Sequence, residues 1–494
     1  MRKSPAKIGL GQLTLTFGPP KDETRETQDN GPVASGGPAA LGIGPERKRK
    51  WNSLIDKVYA LPNLQRAWEH VAANKGAPGI DGMTISRFAE NAPERLRSLH
   101  EDLRNKTYKP QPVRRVYIQK DSGGRRPLGI PNVRDRIVQQ ALRQVLEPIF
   151  DAKFSDHSHG FRKERGCATA LKIVDQAVKH GFTWVVDADI AAFFDTVDHE
   201  KLLSALNDEI ADGSVLKLIR HILTAGVVEP LAVDSDPTQL GTPQGGPLSP
   251  LLANVYLHAF DVVMEAAGLG LVRYADDFVV FTKSKERADT ALALIREVLE
   301  GALGLRLHSE KTRVVSVDEG FEFLGFHYFR DPKTGKLRKE VRQKSAQRFR
   351  EAIRRKTPRL KTQRRVKPRH ITFNRLRENR RIAEMIGSLN RYLQGWHWYF
   401  KPVWSAYPDT PFRNFDGFVR MRLRTAITGR VGNYGWWQTR LKTELLRSLG
   451  LTYLDDYQRA YLKDRLAAPV RKDRTDGEPY AGHLHVRFGR EGGG

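Results

Sequence analysis

Four aspartates stand where carboxylates can do chemistry. Asp187 and Asp189 close the apolar segment Phe182-Thr-Trp-Val-Val-Asp-Ala-Asp-Ile190, and Asp276 and Asp277 interrupt the apolar run from Leu271 to Phe281. A carboxylate at the end of an apolar strand is costly unless something pairs with it. A hard divalent cation is the natural partner, and magnesium favours one or two carboxylates completed by substrate phosphate oxygens. Two such ions about 4 Å apart activate a primer hydroxyl and steady a leaving pyrophosphate. Singly, each aspartate reads as a turn or capping residue. In combination, on two apolar segments distant in sequence, they point to metal-assisted nucleotidyl transfer.

The elements that must position them follow from the pattern. Phe182 to Ile190 reads as a buried strand, and its period of two puts Asp187 and Asp189 on one face. Leu271–Tyr274 and Phe278–Phe281 read as two strands joined by a tight turn with Asp276 and Asp277 at its tip. Strands are also expected over Val113–Ile118, Arg126–Ile130, Val314–Val317 and Phe321–Phe326, the first two joined at Asp121-Ser-Gly-Gly124. Helical spacing covers Asn63–Asn74, Pro93–Leu103, Asp135–Phe150, a segment from His199, Leu251–Ala267 and Ala288–Leu303. Residues 1–50, rich in Gly and Pro, read as a mobile tail. From Ser345 the chain reads as helical and basic.

The 494 residues carry 83 Lys and Arg against 57 Asp and Glu, a net charge of +26. The excess is local: residues 331–494 hold 39 basic and 15 acidic side chains, which leaves 44 and 42 for everything before them. An excess gathered in one third of the chain favours a polyanionic partner gripped there. Cys167 is the only cysteine, so an intrachain disulfide and a cysteine-built zinc site are both excluded. That suits a reducing interior. No run of about 18 apolar residues is present, so no membrane span is expected. His157 and His159 have no carboxylate or cysteine spaced to share a metal with them, and read as structural.

Arg273-Tyr-Ala-Asp-Asp277 resembles the Tyr-x-Asp-Asp box of reverse transcriptases, and Asp189-Ile-Ala-Ala-Phe-Phe-Asp195 resembles that family's first catalytic block. Arg126-Pro-Leu-Gly-Ile-Pro131, Gly160-Phe-Arg162, Pro243-Gln-Gly-Gly-Pro-Leu-Ser-Pro250, Glu310-Lys-Thr312 and Phe323-Leu-Gly-Phe326 match in the expected order. Seven ordered blocks are a far more specific signal than one short motif. Lys75-Gly-Ala-Pro-Gly-Ile-Asp-Gly82 upstream and Leu389-Asn-Arg-Tyr-Leu-Gln-Gly-Trp396 downstream bring the resemblance closest to group II intron-encoded reverse transcriptase/maturases.

The resemblance implies an α+β, right-hand fingers-palm-thumb polymerase with an antiparallel palm sheet, followed by an α-helical basic thumb/maturase (X) domain. Its divisions would be a tail at 1–50, an N-terminal extension at 51–112, fingers and palm at 113–330, thumb/maturase at 331–465 and a tail at 466–494. Asp189, Asp276 and Asp277 would hold two Mg2+ ions, helped by the main-chain carbonyl of Ile190. Phe194 would lie beneath the nucleotide sugar and exclude a 2′-hydroxyl. Lys120 and Arg126 would clamp the triphosphate, with Gln244 near the template base and Lys311 near the phosphates.

Arg342, Lys344, Arg348, Arg354, Arg355, Lys356, Arg364 and Arg365 are the expected RNA grip. The aromatics Tyr392, Trp396, Trp398, Tyr399, Phe400 and Trp404 would be chiefly thumb core. Implied partners are group II intron RNA, target DNA and deoxynucleoside triphosphates, in the bacterial cytoplasm and at the nucleoid. Oligomeric state is left open. Many family members end in a cysteine-bearing His-Asn-His endonuclease, and no such domain is expected here. Two other readings are a retron, diversity-generating or defence-associated reverse transcriptase, and an RNA-binding splicing factor with an inactive polymerase.

Overall fold

The computed structural model describes residues 50–119, 125–228, 241, 245–359, 376–403, 411–428 and 441–467. Residues 1–49 and 468–494 of the expected tails, the hairpin tip with Lys120, the loop with Gln244, and the segment with Arg364 and Arg365 lie outside the described residues, as does Trp404.

The described strands are β1 (Val113–Gln119), β2 (Arg125–Ile130), β3 (Trp184–Asp189), β4 (Val227–Val228), β5 (Gly270–Tyr274), β6 (Asp277–Thr282), β7 (Arg313–Ser316), β8 (Phe321–Phe323), β9 (Phe326–Arg330) and β10 (Leu337–Val341). They form sheets of order β2-β1-β4, β5-β6-β3-β7 and β10-β9-β8. With the helices between them this is a mixed α+β fold. None of the described helices is long and apolar enough to cross a membrane.

Two compact units interleave along the chain. The first takes residues 1–162, 188–276 and 290–312. Its helix Val133–Asp151 buries Val133, Ile137, Val138, Ala141, Leu142, Leu146, Ile149 and Phe150, the stripe that helical periodicity requires. It packs on helix Leu61–Ala73, whose buried Asn63 donates from Nδ2 to the carbonyl of Ala141 at 3.1 Å. Helix Ser249–Ala266 is buried on nearly every side, as Leu251, Leu252, Val255, Tyr256, Leu257, Phe260, Val263 and Met264 demand. β1 and β2 form an antiparallel hairpin with Val116 opposite Leu128. In the Lys75–Gly82 segment, Gly79 lies so close to Asn132 that a Cβ would fall 2.1 Å from Oδ1, and Arg136 donates to the carbonyl of Ala77.

The second unit takes residues 163–187, 277–289 and 313–494. In it β3 pairs antiparallel with β7, Val185 opposite Val315. Phe321–Phe326 is not one strand, as its apolar run suggested. Leu324 and Gly325 both adopt positive φ, 45° and 82°, and turn the chain back, so that Phe323 pairs with Phe326 across a hairpin. β10 extends this sheet through Lys339, which is fully buried with its ammonium on Asp175 at 2.7 Å. Tyr328 also donates to Asp175.

The C-terminal helices Gln343–Lys356, Arg380–Phe400, Arg413–Thr428 and Leu454–Ala467 pack around Phe349, Trp396, Phe400, Phe412 and Phe415. Trp396 and Phe400 of the aromatic cluster are buried in this core, Tyr392 and Tyr399 are half-buried, and Trp398 is exposed. Asp416, also buried, accepts from the amides of Leu454 and Asp455 at 2.9 and 3.0 Å.

Burial pushes the Asp416 carboxyl up to about 7 against the pull of those amides. A folded value above the unfolded one makes the charged form a cost, present above about pH 7 and relieved as pH falls toward the ordinary carboxylate range. Asp416→Asn cannot titrate. The urea midpoint of the wild type relative to this variant should therefore rise as pH is lowered from about 8 to about 5. A pH-independent difference would refute the assignment.

Candidate active site

Asp189 ends β3, and its backbone is fixed from one side by residues 306–308. Its carbonyl accepts from the amide of His308 at 2.8 Å, Ile190 bridges Leu307, and the amide of Ala191 donates to Arg306 at 2.8 Å. Ala188 and Ile190 are buried, which leaves the half-exposed Asp189 side chain as the polar group between them. Its Oδ2 is hydrogen-bonded by the ammonium of Lys311, from the Glu310-Lys-Thr312 block. Asp187, one same-face step earlier, is paired with Arg313 at 3.2 Å.

Asp276 and Asp277 are half-buried, in the turn Ala275–Asp276 and at the first position of β6. Thr183 donates to the carbonyl of Thr282 at 3.2 Å, and β6 lies beside β3 in the sheet. Asp189 thus closes β3, and its sheet neighbour β6 opens at Asp277 directly after Asp276.

The turn carrying Asp276 is held from beneath. Arg273, fully buried, is ion-paired through Nε and Nη2 with the equally buried Asp261 of helix Ser249–Ala266. The same guanidinium donates to Asn254 Oδ1 at 3.1 Å, to Ser158 Oγ at 2.8 Å and to the carbonyl of Ala275 at 2.9 Å. Ala275 has φ of +59°, a conformation L-residues seldom adopt, and the Arg273 bond helps hold it. Gly160 presses against this turn so closely that a Cβ would lie 2.3 Å from the amide of Ala275, and its carbonyl accepts from Asn254 at 2.8 Å. The main chains of His157 and His159 exchange hydrogen bonds with that of Arg273. Arg273 escaped the sequence reading. Its signal was an arginine within the apolar strand Leu-Val-Arg-Tyr, where burial demands a partner.

Phe194 lies in the helical turn Phe193–Thr196 that follows Ala192, itself at φ +48°. Its ring is largely buried and meets Phe193 edge-on at 5.2 Å. The backbone of Arg126 pairs with Ile118 in the β1–β2 hairpin.

Among the described residues no group of three His, Cys, Asp or Glu side chains forms a ready-made metal cage. The donor set nevertheless suits magnesium. Carboxylates at the ends of neighbouring strands can supply the one or two protein ligands such an ion takes, and Asp189 already accepts one cationic group, from Lys311.

The basic residues belong to the second unit. Lys344, Arg348, Arg354 and Arg355 project from the exposed side of helix Gln343–Lys356, opposite the buried Ala346, Phe349, Ala352 and Ile353. Lys356 lies over the Tyr392 ring at 5.5 Å, and Arg342 is 3.5 Å from Glu322.

Residues 118–328 match the family described as reverse transcriptase (RNA-dependent DNA polymerase). The chain is 34% identical over 307 residues to Protein YkfC of Escherichia coli, covering 80% of that protein and 54% of this chain. The chain belongs to the reverse transcriptase family. It is 44% identical over 198 residues to the group II intron-encoded protein LtrA of Lactococcus lactis, across 40% of this chain and 32% of LtrA. It is 29% identical over 234 residues to nuclear intron maturase 4 of Arabidopsis thaliana, across 46% of this chain and 28% of that protein. These relatives place this family member among the group II intron-type reverse transcriptase/maturases, whose enzyme class is RNA-directed DNA polymerase. The match to LtrA and to the plant maturase spans about a third of each, less than two thirds of their length.

Proposed function

We propose that this chain binds group II intron RNA, assists its splicing and copies it into DNA during retrotransposition. The observation that supports the catalytic part is that Asp189 ends β3, the sheet neighbour of the strand that follows Asp276, with Asp276 on a turn braced by Arg273. Asp189 and Asp276 would be the principal ligands of two magnesium ions, with Asp277 secondary and the Ile190 carbonyl a further donor. Bound there, the ions would supply activation of the primer hydroxyl and charge stabilisation for the leaving pyrophosphate.

The chain's own groups do the rest. Lys120 and Arg126 of the finger hairpin bind the triphosphate, for which an ammonium and a guanidinium fork are suited. Phe194 restricts the sugar to a deoxyribose, and Gln244 lies by the template base. Lys311, which is ion-paired with Asp189, would be the group that approaches the phosphates. In this reading the β5-β6-β3-β7 sheet is the palm, the β1–β2 hairpin the fingers and the C-terminal helices the thumb/maturase region. Target DNA and structured intron RNA are the partners, in the bacterial cytoplasm and at the nucleoid.

The direct test is incorporation of deoxynucleotides by the purified protein on an RNA template with a DNA primer, together with sequencing of the RNA that copurifies. Lack of RNA-templated synthesis would sink the polymerase reading. Absence of intron RNA among the bound species would sink the maturase reading.

The grip has its own expectation. Phosphate contacts make affinity fall with salt, by close to one unit of logarithmic slope for each contact. Replacing Arg348 and Arg355 together by Gln should weaken RNA binding and flatten the plot of log affinity against log salt by roughly one to two units. An unchanged slope would exclude this helix face from phosphate contact.

A further inference from the structure

The turn that bears Asp276 has another side chain against it, which neither metal binding nor the nucleotide contacts require. Phe161, the middle residue of the Gly-Phe-Arg block, is 40% exposed, and its ring centroid is 6.5 Å from that of Tyr274. Its φ is +61°, a strained conformation for a bulky residue that Gly or Asn would adopt more easily. Both of its neighbours are locked. Gly160 is wedged against Ala275 with no space for a Cβ. Arg162, buried, donates to the Asp151 carboxylate at 2.6 Å and to the carbonyls of Asp151, Ser155 and Ser158 at 3.0, 2.6 and 3.0 Å. The backbone at 161 is thereby held rigidly, in a conformation that disfavours phenylalanine, and the ring it presents is only partly covered.

A stiff, partly exposed aromatic face offers sequence-tolerant contact with a sugar or base and carries no charge for a phosphate. Its position identifies which nucleotide. In two-metal transfer the group activated at the carboxylates is the primer's terminal hydroxyl, so the nucleotide nearest this turn is the last one of the primer. We propose that Phe161 binds the 3′-terminal primer nucleotide, its ring packing on that nucleotide's sugar and base and so aligning the 3′-hydroxyl. This rests on the metal-site reading of Asp189 and Asp276.

The full-length protein is tested on an RNA template annealed to a DNA primer, with Phe161→Asn and Phe161→Tyr. Asn tolerates the left-handed backbone and removes the ring, so the variant keeps its fold, and matching urea midpoints check this. Phe161→Asn should raise the KM for primer–template about tenfold, as expected for one lost stacking contact, and leave the KM for nucleotide within about twofold. Phe161→Tyr should stay within about twofold of wild type on both. A primer with an abasic 3′ residue should weaken the wild type about tenfold and Phe161→Asn far less.

An unchanged primer–template KM for Phe161→Asn overturns the proposal. So does an equal loss of affinity for single-stranded template alone, which would put the ring on the template. Asp276→Ala in the same assay separates the two levels. If that variant still extends primers, the metal-site reading fails. If it is inactive and Phe161→Asn behaves as wild type, only the role of Phe161 fails.

Discussion

Asp276→Ala should abolish RNA-templated DNA synthesis, with a loss of at least about a thousandfold in kcat, and leave folding and RNA binding intact. Removing a principal metal ligand forfeits several kcal/mol of transition-state charge stabilisation, and each 1.36 kcal/mol is worth about tenfold. The side chain is half-buried at a turn, so its loss opens no core cavity. Asp189→Ala should behave alike. It also frees Lys311, whose ammonium is on Asp189. The contrast is Asp187→Ala. That carboxylate lies on the same strand but is paired with Arg313 at 3.2 Å, so its removal should reduce kcat by less than about tenfold. Primer extension over a range of magnesium concentrations, with a urea midpoint and an RNA-binding isotherm for each variant, makes the comparison. Synthesis by Asp276→Ala at more than a tenth of the wild-type rate would show that the carboxylates have been misassigned.

Much of the fold around the candidate site was legible because its signals are local. Asp135–Phe150 reads as a helix, and the structure has Val133–Asp151. The apolar flanks of Asp276 and Asp277 read as two strands, and β5 and β6 are there. What escaped depends on partners distant in sequence. β10 is Leu-Arg-Lys-Glu-Val, which looks like the start of the basic region; it is a strand paired with β9, and its Lys339 is buried against Asp175, 164 residues earlier. The turn at Leu324–Gly325 was hidden for a different reason. Phe321, Phe323 and Phe326 are all buried, and an apolar run gives no sign of where it reverses when both of its arms face the core. Arg273 carried a signal that went unread, a charge inside an apolar strand that must be answered. Nothing local named Asp261, Asn254 and Ser158 as the answer.

That arginine supports a prediction in which stability and activity part company. Arg273→Met alone leaves the Asp261 carboxylate buried without its partner, which should cost about 3–5 kcal/mol of folding stability. Replacing both members, as Arg273→Met with Asp261→Leu, removes the stranded charge and should recover most of that loss, because a buried ion pair is often no more stabilising than apolar side chains of similar size. Activity should not recover with it. The guanidinium is also the donor to the carbonyl of Ala275, beside Asp276, and methionine offers no donor. Without that bond the strained turn can relax and carry the Asp276 carboxylate with it. Second-layer support of this kind is worth about 10- to 100-fold in metal affinity or activity. The double variant should therefore fold nearly as well as the wild type while needing more magnesium for half-maximal synthesis and reaching a kcat lower by about that factor. Arg273→Lys keeps the charge but not the fork that reaches Asp261, Asn254, Ser158 and Ala275 together, so it should fall between the two. If the double variant recovers both its urea midpoint and its magnesium profile, Arg273 is only a structural ion-pair partner. A recovered midpoint with a displaced magnesium profile makes it the residue that holds Asp276 in place.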